Sequence, residues 1–287
     1  MVDAAQKWLM ETEWLASHLG TPGLVILDGS MHLPTTKRDA KAEYLAGHIP
    51  GALFFDIDEI ADEKSPLPHM LPSATKFASR MKKMGVGDGM HVVAYDSEGL
   101  YSAARVWWMF RAMGHEQVQV LNGGLKKWKA EARPLEDGPP RRRTERHFTA
   151  RLNAGLVRDV GDVKALIGSK AAQIVDARAA ARFEGTVPEP RQGLRSGHIP
   201  SSRNVPFASL LNPDGTLKPA AELRAIFAKA GVDPGKPVVA SCGSGVTAGV
   251  IALALAVLGR PDAAVYDGSW TEWGSDASLP IEMGPPR

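Results

Sequence analysis

Apolar residues in this chain fall in short unbroken runs rather than in strict alternation. Leu24-Val-Ile-Leu leads into Asp28, Val92-Val-Ala into Tyr95, Ile174-Val into Asp176, and Val238-Val-Ala into Ser241. Between them lie longer helix-like stretches such as 103–112 and 221–230. Short runs with no polar face suit strands buried on both sides, and alternation with helices predicts parallel sheets covered by helices on both faces, an α/β fold.

The pattern occurs twice. The apolar run ending at Asp28 returns at Asp176, Gly47-His-Ile-Pro50 at Gly197-His-Ile-Pro200, the run ending at Asp96 at Cys242, and the segment ending at Trp128 at Trp273. The offsets are 148, 150, 146 and 145 residues, nearly constant and in the same order. A tandem duplication follows. Residues 1–137 are expected to form a first domain without a catalytic cysteine, 138–152 a linker rich in turn formers and charge, and 153–287 a second, catalytic domain. The triple arginine at 141–143 reads as solvated linker. Trp107, Trp108, Trp128, Trp270 and Trp273 read as core or domain-interface anchors.

Charge adds little. Lys plus Arg number 34 against 32 Asp plus Glu, so no broad field favours nucleic acid or a membrane surface. The longest apolar run, 249–259, is about half a membrane span. The N-terminus lacks the basic start and apolar core of a secretory signal, and its acidic residues argue against a transit peptide. The chain is expected to be soluble and cytoplasmic. Its single cysteine, Cys242, excludes an internal disulfide and fits a reducing compartment. The histidines show no metal-ligand spacing, and His48 and His198 are repeat partners in matching turns.

Cys242 stands between a predicted strand over 237–241 and a predicted helix over 250–258, beyond the carboxyl end of the strand where ligands of parallel sheets bind. Gly243 and Gly245 let successive N–H groups turn inward as an anion nest, and the helix start adds unpaired N–H groups; both favour thiolate over thiol. The first repeat has Asp96 at this place, so only the second can perform thiol chemistry. A cysteine-dependent phosphatase uses a similar cradle but needs arginine six residues after the cysteine; position 248 is alanine. A phosphate-binding loop of the Gly-x-x-x-x-Gly-Lys type is absent.

Two similar halves with a cysteine only in the second, together with Cys242-Gly-Ser-Gly-Val-Thr-Ala248, Asp176-Ala-Arg178, Arg182-Phe-Glu-Gly-Thr186, Pro188-Glu-Pro-Arg191 and Gly99-Leu-Tyr-Ser-Ala-Ala-Arg-Val-Trp-Trp108, resemble the rhodanese superfamily of sulfurtransferases. Gly243 and Ser244 resemble its mercaptopyruvate-using branch, whereas thiosulfate-using members carry basic residues in that loop. The resemblance implies that Cys242 takes sulfur from 3-mercaptopyruvate as a persulfide, releases pyruvate, and passes the sulfur to a thiol, to cyanide or to a thioredoxin-type protein, without a cofactor. It assigns Arg182 and Arg191 to the substrate carboxylate and ketone, and Gly243, Gly245, Val246 and Thr247 to the loop around the donor. Ser244, His69 and Asp58 are implied to relay protons. Thiosulfate:cyanide transfer and a non-enzymatic persulfide carrier are the alternatives; the paired arginines count against the carrier, which has no use for a small-carboxylate clamp.

Overall fold

The computed structural model describes residues 4–286. The chain divides into two compact units. One comprises the chain through Glu63, Leu71–Asn153 and Asn212–Leu217; the other comprises Lys64–Met70, Ala154–Leu211 and residues from Lys218 onward.

Each unit is built on a five-stranded parallel sheet. In the first, β1 (Leu9–Met10), β2 (Leu24–Asp28), β3 (Leu53–Phe54), β4 (His91–Tyr95) and β5 (Val118–Leu121) are ordered 1-5-4-2-3. In the second, β6 (Val157–Arg158), β7 (Gln173–Asp176), β8 (Arg203–Asn204), β9 (Val238–Ser241) and β10 (Ala264–Tyr266) repeat that order as 6-10-9-7-8. The longest strands carry the unbroken apolar runs: all five residues of β2 and all four of β9 are buried. A strand buried on both faces has no solvent side on which to place alternate polar residues.

Helix α1 (Ala103–Ala112) follows β4 and α2 (Gly124–Ala130) follows β5; in the second unit α3 (Ala180–Phe183) follows β7, α4 (Ala248–Val257) follows β9 and α5 (Ser269–Trp273) follows β10. Every residue of α1 and of α4 is buried. Helix α4 is apolar all round and needs such an enclosed place, whereas α1 also buries Arg105 and Arg111. The helix expected at 221–230 is Ala220–Lys229.

Trp107, Trp108, Trp128, Trp270 and Trp273 are fully buried. Trp128 donates to the Pro134 carbonyl at 2.7 Å and Trp273 to that of Pro280 at 2.8 Å, so equivalent indoles make equivalent bonds. The Gly-His-Ile-Pro turns are structural as well. His48 Nδ1 meets the Tyr44 carbonyl at 2.8 Å, His198 Nδ1 that of Phe183 at 2.9 Å.

Residues 138–152 contain neither helix nor strand, and they lie on the first unit. Asp88 N–H donates to His147 O at 2.9 Å, Arg151 N–H to Met113 O at 2.9 Å, and Phe148 is buried. Gly85 and Gly87 make room for this path: a Cβ on Gly85 would stand 2.6 Å from Arg143 Cβ, and one on Gly87 2.7 Å from Arg146 Cβ. Among the described residues, no helix is long and apolar enough to cross a membrane.

Candidate active site

The loop after β9 places six of the expected residues together. Cys242 is 2% exposed and follows directly from the buried strand; Gly243, Ser244, Gly245, Val246 and Thr247 carry the chain round into α4. Gly245 has φ 78°, a left-handed conformation open to glycine at little cost. Thr247 precedes α4 but makes no side-chain cap bond.

Helix α5 holds this loop from behind. Trp270 N–H donates to the Cys242 carbonyl at 3.0 Å, and Thr271 N–H to the Gly243 carbonyl at 2.9 Å, reinforced by Thr271 Oγ1 at 2.7 Å. A trans peptide carries its C=O and N–H on opposite sides. Anchoring the carbonyls of Cys242 and Gly243 toward α5 therefore turns the N–H groups of Gly243 and Ser244 the other way, toward the inside of the loop.

The first unit shows what such a loop does with an anion. Asp96 Oδ1 accepts from the N–H of Glu98 at 2.9 Å and Gly99 at 3.0 Å, and Oδ2 from Tyr101 at 2.7 Å and Ala103 at 2.8 Å. Leu125 N–H donates to the Asp96 carbonyl at 2.9 Å, just as Trp270 does to Cys242. Complete burial pushes the Asp96 carboxyl above the ordinary carboxylate range, and the four N–H donors pull against that rise. In the first unit the loop is thus a cradle of inward N–H groups filled by a carboxylate; in the second the matching loop is anchored to its following helix in the same way and is headed by the thiol.

Arginines from the β7 side complete the second unit's site. A Cβ built on Gly243 would lie 3.2 Å from Arg182 Nη2, so the guanidinium sits directly over the residue after the cysteine. Glu189, whose side chain is almost fully buried, holds it with Oε1 at 3.2 Å from Nε and Oε2 at 2.5 Å from Nη2. The same carboxylate accepts from Arg178 Nη1 at 2.8 Å. Arg178 in turn forks onto Asp176, 3.0 Å from Nε and 2.7 Å from Nη2 to Oδ2, and stacks 4.3 Å from the Trp270 ring. An Asp176–Arg178–Glu189–Arg182 chain, buried up to Arg182, which is partly exposed, therefore fixes one arginine by the next.

Arg191 meets His69: its Nη2 stands 3.2 Å from His69 Nε2. A guanidinium can only donate, so this contact makes Nε2 the acceptor and puts the ring proton on Nδ1. His69 is buried and holds φ 62°, and its segment belongs to the second unit although it precedes most of the first in sequence. Asp58 lies in the first unit, in the short helix Ile57–Ile60 behind Asp56, which accepts from its N–H at 3.0 Å. Arg195, for which the sequence offered no role, donates to the carbonyls of Trp273 and Leu279 at 3.0 Å and Gly274 at 3.1 Å; it closes the end of α5.

Sequence reasoning passed over Glu189, Arg178, Ser269 and Thr271 as site residues. Two of them stand inside quoted motifs, but a buried carboxylate is not distinguishable from a solvated one by residue type alone.

The whole chain resembles known proteins in sequence and in fold. The rhodanese-like domain family matches residues 11–131 and 159–276. The chain is 48% identical to the 3-mercaptopyruvate sulfurtransferase of Escherichia coli over 96% of its length and 98% of that protein. It is 47% identical to bovine thiosulfate sulfurtransferase over 92% of its length and 91% of the relative. The crystal structure of SseA from Escherichia coli, described with the rhodanese fold among 3-mercaptopyruvate sulfotransferases, superposes with a TM-score of 0.84 at 46% identity, covering 92% of this chain and 99% of that one. With both repeats matched, the chain belongs to the rhodanese family.

Proposed function

We propose that this protein is a sulfurtransferase that takes sulfur from 3-mercaptopyruvate onto Cys242. The Cys242 thiolate attacks the substrate sulfur. As the new S–S bond forms, the carbon–sulfur bond breaks and its electron pair goes to carbon, giving the enolate of pyruvate. That carbon takes one proton and leaves as pyruvate. An acceptor thiolate then attacks the outer sulfur of the persulfide, and the S–S electron pair returns to Cys242.

Charge development decides the roles. Negative charge builds on the enolate oxygen and persists on the carboxylate, and Arg182 and Arg191 are our choice for clamping both. The backbone N–H groups of Gly243, Ser244, Gly245, Val246 and Thr247 are assigned to stabilise the attacking and departing Cys242 sulfur. Ser244 and His69, both in the second unit, carry the proton. His69 Nε2 is engaged by Arg191, so a substrate carboxylate that draws Arg191 away leaves Nε2 able to take up and pass on a proton. Because the chain has one cysteine, its persulfide cannot resolve internally. The acceptor is external: a small thiol, cyanide or a thioredoxin-type protein, in the cytoplasm.

The relatives carry both donor names at nearly equal identity, so the choice of donor rests on the loop. The carrying observation is the 3.2 Å between a Cβ at Gly243 and Arg182 Nη2. A side chain at position 243 would press on the guanidinium, and one of the two would have to shift; glycine leaves the space to a carboxylate clamp. Steady-state rates with 3-mercaptopyruvate and thiosulfate test this. The expected kcat/KM favours 3-mercaptopyruvate, and Arg182→Ala or Arg191→Ala lowers it by about 100-fold, the order of a lost charge-assisted pair. Sulfur transfer from a pre-formed Cys242 persulfide to a thiol should change much less. Equal loss in both half-reactions would make the arginines structural.

A further inference from the structure

The duplication supplies a control at one more position. Gly124, first residue of α2, and Ser269, first residue of α5, correspond at the repeat offset of 145 residues. Both hold left-handed backbone, φ 52° and 49°, although the preceding glycines differ, Gly123 at 86° and Gly268 at −63°. Glycine adopts this conformation freely; an L-residue is strained in it. The turn itself therefore does not call for serine. In the first unit a side chain is also impossible, because a Cβ on Gly124 would stand 2.5 Å from the Asp96 carbonyl oxygen.

In the second unit the strained residue is fully buried and its hydroxyl is used twice. Ser269 Oγ accepts from Cys242 N–H at 3.1 Å and donates to the Tyr266 carbonyl at 2.8 Å. The first bond fixes the peptide that enters Cys242; Trp270 and Thr271 fix the next two. Three consecutive residues of α5 thus set three consecutive peptide planes of the loop, and only the first requires a side chain in a conformation that disfavours one. Strain retained where glycine would serve is the mark of a functional constraint.

We infer that Ser269 is a positioning residue for Cys242: its hydroxyl orients the thiol within the N–H cradle at the expense of backbone strain. The inference rests on Cys242 being the sulfur carrier proposed above, but its test does not need sulfur transfer. Ser269→Gly and Ser269→Ala both lose the hydroxyl; only the glycine variant also loses the strain. In each, the rate of Cys242 alkylation by iodoacetamide at fixed pH should fall about tenfold, the order of one hydrogen bond, and kcat/KM for 3-mercaptopyruvate should fall with it. The glycine variant should melt at least about 2 °C above the alanine variant. A glycine variant that is alkylated and turns over within twofold of wild type would overturn the inference. So would an alanine variant as stable as the glycine one, since the strain would then be absent. If the wild-type protein forms no persulfide, the proposed function fails, and the alkylation rates and melting temperatures still decide the role of Ser269.

Discussion

Replacing Asp96 tests whether these loops are built around an anion. In Asp96→Ala the four N–H groups of Glu98, Gly99, Tyr101 and Ala103, at 2.7–3.0 Å from the carboxylate, lose their acceptor. An orphaned buried donor costs about 1–3 kcal/mol. Water entering the cavity recovers part of that, and deleting the carboxylate removes the cost of burying its charge. A net loss of about 3–5 kcal/mol remains, the usual result of removing one side of a buried charged interaction. Asp96→Asn keeps an acceptor for one pair of donors but turns an NH2 group toward the other pair, so a loss of about 2 kcal/mol is expected. Five of the seven tryptophans lie in the first unit, so indole fluorescence during urea unfolding reports mainly on it. With a slope of about 2–3 kcal/mol/M, the alanine midpoint should drop by roughly 1–2 M. A loss below about 1 kcal/mol for Asp96→Ala would refute the reasoning, because the loop would then keep its shape without an anion.

Three further outcomes follow from the same structure. Gly124→Ala puts a Cβ 2.5 Å from the Asp96 carbonyl oxygen and 2.7 Å from that of Gly99 at φ 52°, so urea unfolding should show a loss of at least about 3 kcal/mol. Gly138→Ala, at φ 80° with nothing within 4 Å, should lose only the conformational term, about 1 kcal/mol. Burial holds His115 and His198 below the ordinary histidine value, so the unfolded chain takes up protons first. Their contribution to stability is complete above about pH 6.5 and is lost as the pH falls from there toward the lower folded values. Thermal unfolding at pH 7.5, 6.5 and 5.5 should show the decline, and His198→Asn should make it shallower; Asp28 and Asp96, pushed up by burial, act in the opposite sense at lower pH.

Much of this was legible in the sequence because duplication turns one chain into an alignment of two. The offset from Asp96 to Cys242 located the loop, and the apolar runs at 24–27 and 238–240 became buried strands of parallel sheets because nothing polar interrupts them. Helix α1 was expected at its observed limits, and α4 two residues later than it begins, since Ala248 and Gly249 carry no distinct helix signal. Other features depend on distance in space. Glu189 acts through Arg178 and Arg182, and its importance comes from burial, which residue type does not encode. Ser269 and Thr271 reach the loop from more than 25 residues downstream. Lys64–Met70 and Asn212–Leu217 each belong to the unit opposite to the one their place in the chain suggests, which no local pattern signals.

The most direct test of the account is the mass of Cys242 after reaction with 3-mercaptopyruvate and without acceptor. The prediction is one added sulfur atom on the peptide containing Cys242, with one pyruvate released per sulfur bound, and loss of that sulfur when a thiol is supplied. An unmodified Cys242 with no pyruvate, or pyruvate released just as fast by Cys242→Ser, would contradict it.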